Sequence, residues 1–178
     1  DDPAAAFVQQ DELFYEYSTV METLMFAARL KLPDQSRSEQ TKRCEEALAK
    51  TGLSKQKNSL VATCSGGERK RLALARALID NPTTIFVDEP TSGLDSFSAE
   101  RVARSLKAFA EEGRTVICVI HQPSAGVFDL FDDLILLSQG RLMYRGSTKK
   151  IDSFFRSLGY SRPHTASLAE HAVATVSL

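Results

Sequence analysis

The chain has 178 residues, 43% of them hydrophobic and 25% charged, which is the balance of an ordinary globular domain and excludes a disordered or low-complexity chain. No apolar run approaches the roughly 18 residues of a membrane-spanning helix; the longest are the strand-sized Thr115–Ile120 and Leu134–Leu137. Lys plus Arg number 22 and Asp plus Glu 23, giving a net charge of −1 with no basic stripe, which argues against nucleic acid as a partner. The 3 cysteines, Cys44, Cys64 and Cys118, are odd in number and widely spaced, so they suggest neither a disulfide framework nor a zinc site but a reducing, cytosolic compartment. The opening Asp1-Asp2-Pro3 is no signal peptide and reads as a point inside a longer chain.

In chain order, a short strand is expected at Phe7–Gln10. Thr19 with Glu22 three residues on forms a capping-box pattern, predicting a helix to about Leu32 that stops at Pro33. Ser36 with Glu39 repeats it and opens a charged helix ending at Gly52, a natural residue past a helix end. Residues 53–64 read as a polar loop, and Glu68–Asp80 as a helix with Leu72, Ala75, Leu78 and Ile79 on one face. Thr84–Val87 and Thr115–Ile120 are continuous apolar runs of the kind expected of parallel strands covered on both faces. The helix predicted between them, Ala99–Glu111, makes a βαβ unit and hence a parallel α/β sheet. A hairpin is expected over 133–146 around Gln139-Gly140, then a last helix, Thr148–Leu158, closed by Gly159.

Four segments carry candidate chemistry. Ser65-Gly66-Gly67-Glu68 puts two glycines ahead of a helix, so unshielded N–H groups and the positive end of the helix dipole face one point, with the Ser65 hydroxyl as a further donor: an anion site. Taken alone it is more often a cap and a flexible turn. Asp88-Glu89 sits at the carboxyl end of a buried strand, where ligand crevices form; Asp suits Mg²⁺ and Glu suits a water to be deprotonated, although Asp-Glu-Pro is also plain turn chemistry. Thr91–Ser96 follows directly and doubles as a helix cap. His121, at the end of the next strand, lies where an imidazole can reach a terminal phosphate.

In this order and spacing the segments resemble the ATP-binding cassette of ABC transporters. Ser65–Glu68 resembles the signature loop, Ile85–Asp88 Walker B, Glu89 the catalytic carboxylate, Ser92–Asp95 the D-loop, His121 the switch histidine and Gln10 the Q-loop glutamine. The stretches Phe7–Asp11, Ser65–Arg71, Asp88–Ser96 and Ile120–Ser124 resemble the G (white/pigment-precursor) subfamily most closely. The resemblance implies an α/β fold, a P-loop NTPase-type ABC ATPase core with a parallel sheet and an inserted helical subdomain. On it, residues 1–160 are a partial ATPase domain, with 19–64 the helical subdomain and approach to the signature loop and 65–146 the core; 161–178 begin a linker towards a transmembrane domain.

The implied cofactors are ATP and Mg²⁺. Glu89, His121 and Gln10 take catalytic roles; Ser65, Gly66, Gly67, Glu68 and Asp95 bind ATP; Asp88 and Gln10 serve the metal. The implied partners are a second cassette, docked head to tail, and a transmembrane domain, at the cytosolic face of a membrane, with no contact to the transported substrate.

One element of the family pattern is absent: G-x-x-x-x-G-K-[ST] occurs nowhere in the sequence. The resemblance places that P-loop ahead of Asp1, with its strand missing from the middle of the sheet, between the Walker B and switch-histidine strands. Such a chain is expected to be inactive alone and to supply the signature half of a composite site. Two other readings stay open: a degenerate, non-catalytic dimerisation or regulatory module, and a soluble, non-transport ABC ATPase. The stretch between Gly52 and Cys64 is shorter than in the subfamily, Cys64 stands where Val is usual, and Pro163–His171 matches only loosely. Arg69-Lys70-Arg71 reads as a solvated helix face, and Leu13-Phe14-Tyr15 as core or as a contact with the membrane domain. Cys118 reads as a small hydrophobe, and His164 and His171 have no partners at metal spacing.

Overall fold

The computed structural model describes residues 5–176, so the opening Asp1-Asp2-Pro3 lies outside the described residues. The chain divides into two compact units, Asp1–Ile120 and His121–Leu178. The first unit contains β1 (Ala6–Val8), α1 (Val20–Lys31), α2 (Arg37–Lys50), α3 (Gly66–Leu78), β2 (Thr84–Asp88), α4 (Ser96–Glu111) and β3 (Thr115–Val119). The second contains α5 (Ala125–Phe128), β4 (Asp133–Ser138), β5 (Arg141–Ser147), α6 (Ile151–Ser157) and α7 (Leu168–Val176).

Local chemistry sets the helix starts. Thr19 and Ser36 cap α1 and α2 in full capping boxes, with Glu22 and Glu39 reaching back as the spacing predicts. Ser65 and Glu68 form a third box, so α3 begins at Gly66, two residues before the sequence expectation. The stretch after Gly52 is not simply loop: it holds 3-10 turns at Ser54–Gln56 and Val61–Thr63, with Leu53 and Val61 fully buried. These join Val20, Leu24, Cys44, Leu48, Leu72, Ala75 and Ile79 in a core enclosed by α1, α2 and α3.

The sheet runs β1-β2-β3, all parallel. This corrects the expected strand arrangement. β2 and β3, the strands that the resemblance reads as Walker B and switch-histidine strands, are direct hydrogen-bonded neighbours from Thr84↔Thr115 to Asp88↔Val119, so no strand lies between them. The ladder groups between them are satisfied, and whatever edge stays open is not there.

The expectation of strands covered on both faces is corrected as well. One face, carrying Ala6, Val8, Ile85 and Val87, packs on Leu74, Ala77, Val102, Leu106 and Phe109 of α3 and α4. On the other face Phe7, Phe86 and Ile117 stand in one row across the three strands, 61%, 38% and 45% exposed. An apolar run does not reveal how many of its faces are covered; among the described residues a single helical layer lies on this sheet.

In the second unit β4 and β5 form the expected hairpin, antiparallel with an irregularity at Leu136/Leu137. A small core of Phe128, Tyr144, Ile151, Phe155, Ala169 and Ala172 holds the hairpin, α5, α6 and α7 together. Ser167 and Glu170 cap α7 reciprocally: the Ser167 N–H donates to Glu170 Oε2 at 2.8 Å and the Glu170 N–H to Ser167 Oγ at 3.2 Å. His171 is buried in this core, edge-on to Phe155 with ring centroids 5.6 Å apart, and its Nε2 has no hydrogen-bond partner.

Candidate functional site

The end of β2 builds the first group of site residues. Asp88 is the last residue of the strand and alternates onto the face of Phe86, the uncovered one. Glu89 follows in the left-handed region (φ 41°), a conformation a non-glycine residue rarely takes, and its N–H is held by Val119 O at 2.9 Å. That turn directs the Glu89 side chain to Gln10, whose Nε2 donates to Glu89 Oε2 at 2.9 Å. The structure thus brings together two candidate site residues 79 positions apart in sequence.

The segment carrying Gln10 is anchored from α3. Lys70 Nζ donates to the Gln10 carbonyl, and Arg76 pairs with Glu12 while its guanidinium lies 5.2 Å from the Phe14 ring centroid. Beyond it lies a groove of about 1090 Å³ between this segment and α1, lined by Leu13, Phe14, Tyr15, Met25, Phe26 and Leu30 among others. Leu13 and Tyr15 are 91% and 79% exposed, so they are not core, whereas Phe14 packs partly against both cores of this unit.

The second group is the start of α3 against the start of α4. Ser65 Oγ accepts the Glu68 N–H at 3.3 Å, and Glu68 Oε2 accepts the Ser65 N–H at 2.8 Å. These hydrogen bonds hold the Glu68 carboxyl below its ordinary range. The Gly66 and Gly67 N–H groups belong to the first turn, where no helical acceptor exists, so both remain available as donors. Neither glycine has positive φ; what they provide is closeness. A Cβ on Gly66 would meet Leu94 Cδ2 at 3.4 Å, and one on Gly67 would meet Ser98 Cβ at 3.1 Å. Asp95 caps α4 by accepting the Ser98 N–H at 2.9 Å, and the Ser98 hydroxyl, followed by that N–H, holds its carboxyl low. The Ser65–Glu68 turn and the Asp95 cap of α4 are therefore packed together within one chain.

His121 is exposed and opens the second unit. Among the described residues no three His, Cys, Asp or Glu side chains cluster as a ready metal cage. Arg71 corrects the reading of Arg69-Lys70-Arg71 as a solvated face: it is 4% exposed. The three-residue basic run gives no hint of this; helical periodicity from Leu72 and Ala75 was the usable signal, since Arg71 borders their face.

Comparison with known proteins matches this arrangement. A family model described as ABC transporter matches residues 3–92, and one described as ABC-2 type transporter matches residues 121–175. The chain is 43% identical over 180 residues to ABC transporter G family member 7 of Arabidopsis thaliana, covering 97% of this chain and 25% of that protein. It is 39% identical over 179 residues to Protein scarlet of Drosophila melanogaster, covering 97% of this chain and 27% of that protein. The chain thus spans about a quarter of the length of these curated relatives. Among solved structures, cbiO1 from Clostridium perfringens, part of the ABC transporter complex cbiONQ, superimposes with a TM-score of 0.74 at 27% identity, over 87% of this chain and 62% of that one. The parallel α/β sheet, the packed signature turn and these likenesses agree: the chain belongs to the ABC transporter family, in its G subfamily.

Proposed function

We propose that these residues form part of the ATP-hydrolysing motor of a G-type transporter and contribute the signature half of a composite site closed with a second cassette. ABC transporters are ATPases, and the observation that supports the motor reading of the strand end is the Gln10–Glu89 hydrogen bond at 2.9 Å; the signature half rests on the capped Ser65–Glu68 turn packed against Leu94 and Ser98. The Gln10–Glu89 bond joins an amide and a carboxylate next to Asp88 in sequence, oxygen donors of the kind a nucleotide-bound Mg²⁺ uses with few protein ligands and several waters. Mg²⁺, when bound, neutralises charge on the phosphate oxygens.

In a cassette whose phosphates a P-loop holds, the chain's own residues would do the rest. Asp88 and Gln10 would hold the metal through its water shell. Glu89, its carboxylate steered by Gln10, takes the proton of the attacking water. His121 is the imidazole that the family resemblance assigns to charge on the terminal phosphate. Ser65, Gly66 and Gly67 present donors to the phosphate held by the partner cassette, with Glu68 fixing the turn and Asp95 fixing the neighbouring loop. The groove beside Leu13 and Tyr15 is the surface offered to the transmembrane partner, because exposed aromatic and aliphatic side chains line it.

No P-loop pattern lies within these 178 residues, so on this reading they neither bind ATP tightly nor turn it over alone. The test is phosphate release by residues 1–178, alone and mixed with an intact G-type cassette. Turnover only in the mixture is expected. Robust turnover by the isolated chain overturns the proposal.

A further inference from the structure

Arg71 is a buried charge without the pairing such a charge needs. It is 4% exposed, its Nε has no hydrogen-bond partner, and among the described residues no carboxylate forms an ion pair with it. Burial and the nearby positive charge of Arg101 push it towards the neutral form, opposed by the Glu68 carboxylate. A guanidinium in this setting costs stability, and an apolar side chain of similar length is commonly neutral or better.

Its place explains why the cost is borne. Arg71 Nη1 is 3.7 Å from the position a Cβ on Gly67 would take, so the charge stands directly beneath the signature turn. Glu68 is turned back onto the Ser65 N–H at 2.8 Å, on the capping side. The turn thus offers two free N–H donors, from Gly66 and Gly67, the start of the 13-residue helix α3, and an unpaired cation behind them.

We propose that Arg71 is a positioning residue of the signature turn, a buried cation that makes the Gly66 and Gly67 donors receptive to the extra charge of a terminal phosphate. The inference rests on the reading that this turn receives the phosphate held by a second cassette. It goes beyond that reading by placing the preference for a triphosphate over a diphosphate partly on a residue that touches neither.

The test combines stability with nucleotide-dependent capture. The full 178-residue chain, wild type or carrying Arg71→Met, Arg71→Gln or Arg71→Lys, is titrated onto an immobilised intact G-type cassette with MgATP or MgADP, and each variant is melted alone. Arg71→Met is expected to melt at or above the wild-type temperature while binding about tenfold more weakly with MgATP and unchanged with MgADP. Arg71→Gln follows Met, which covers the case of Met failing to fold, and Arg71→Lys restores most of the capture by restoring charge. Wild-type capture by Arg71→Met and Arg71→Gln overturns the inference, as does a loss shared equally between ATP and ADP and tracking a lower melting temperature. Failure of the wild-type chain itself to be captured with MgATP overturns the reading of the turn as a phosphate-receiving surface, and the role of Arg71 with it.

Discussion

The helical core of the first unit and its sheet are built from similarly apolar sequence yet end in different states. Around Leu24, Leu48 and Leu72 three helices and two 3-10 turns close on every side, and these side chains are at most 1% exposed. Among the described residues the sheet is closed on the α3 and α4 side, and Phe7, Phe86 and Ile117 face outward on the other. Composition does not separate the two regions; topology does. A helix needs one apolar stripe covered, and α1, α2 and α3 cover one another, whereas a parallel strand presents two apolar faces and so needs two layers. The site residues follow this division. Asp88 lies on the open face, and the Ser65–Glu68 turn sits where the closed helical core meets α4.

The largest expected effect tests the closed region. Leu24→Ala and Leu72→Ala should each lower unfolding stability by about 2–5 kcal/mol, read from urea midpoints. Phe86→Ser and Ile117→Thr, on the bare face, should cost about 0.5 kcal/mol or less and should reduce binding of a hydrophobic dye. Equal losses at Leu24 and Phe86 would remove the contrast.

A pH series is the next discriminator, because one cysteine reports on each region. Burial pushes the Cys44 thiol up to about 11 in the helical core and the Cys118 thiol up to about 12 on the covered side of the sheet. Both raised values mean that the unfolded chain loses these protons first. Their contribution is therefore intact below the ordinary thiol range and declines as pH rises from about 9 towards 12. Equilibrium unfolding at pH 7, 9 and 11 should show the fall, and Cys44→Ala or Cys118→Ala should flatten it. At the acid end the signs reverse. Glu22, Glu39 and Glu68 are held below the usual carboxylate range by their capping hydrogen bonds, so the stability they add is lost as pH falls below about 4.5 through their lowered values. Melting temperature should drop there, and less steeply in Glu39→Gln.

The smallest effect concerns the second unit. His171→Phe replaces a buried imidazole with an unpartnered Nε2 by an aromatic ring of similar shape and should stabilise by about 1 kcal/mol, seen as a higher melting temperature. A lower one would mean that the Nδ1 contact with Thr175 Oγ1, at 3.3 Å, outweighs the unpartnered Nε2.

How much of this was legible in the sequence depends on how local its cause is. The boxes at Thr19/Glu22 and Ser36/Glu39 were readable because the cap and its partner are three residues apart. The same spacing at Ser65/Glu68 and Ser167/Glu170 carried the same signal. At the first it coincides with the anion-site pattern, and at the second, the start of α7, it lies within 161–178, which the resemblance reads as linker. The parallel sheet was legible from two apolar runs and the helix between them. The direct pairing of β2 with β3 and the bare row at Phe86 were not, since strand order and the number of covering layers are set by segments far apart in the chain. The order and types of the candidate site residues were legible. The contact of Gln10 with Glu89, the positive φ of Glu89 and the burial of Arg71 were not, because each arises only when distant elements meet.

The central claim is that these residues bring a signature turn, with no P-loop, to a composite site. The most direct measurement counts nucleotide in the pair: residues 1–178 and one intact G-type cassette are mixed with MgATP, isolated as a complex, and the bound ATP is quantified per pair. One ATP per pair, lost when Gly67→Asp puts a carboxylate on the signature turn, is the predicted result. Two ATP per pair, or one that persists in Gly67→Asp, would contradict it.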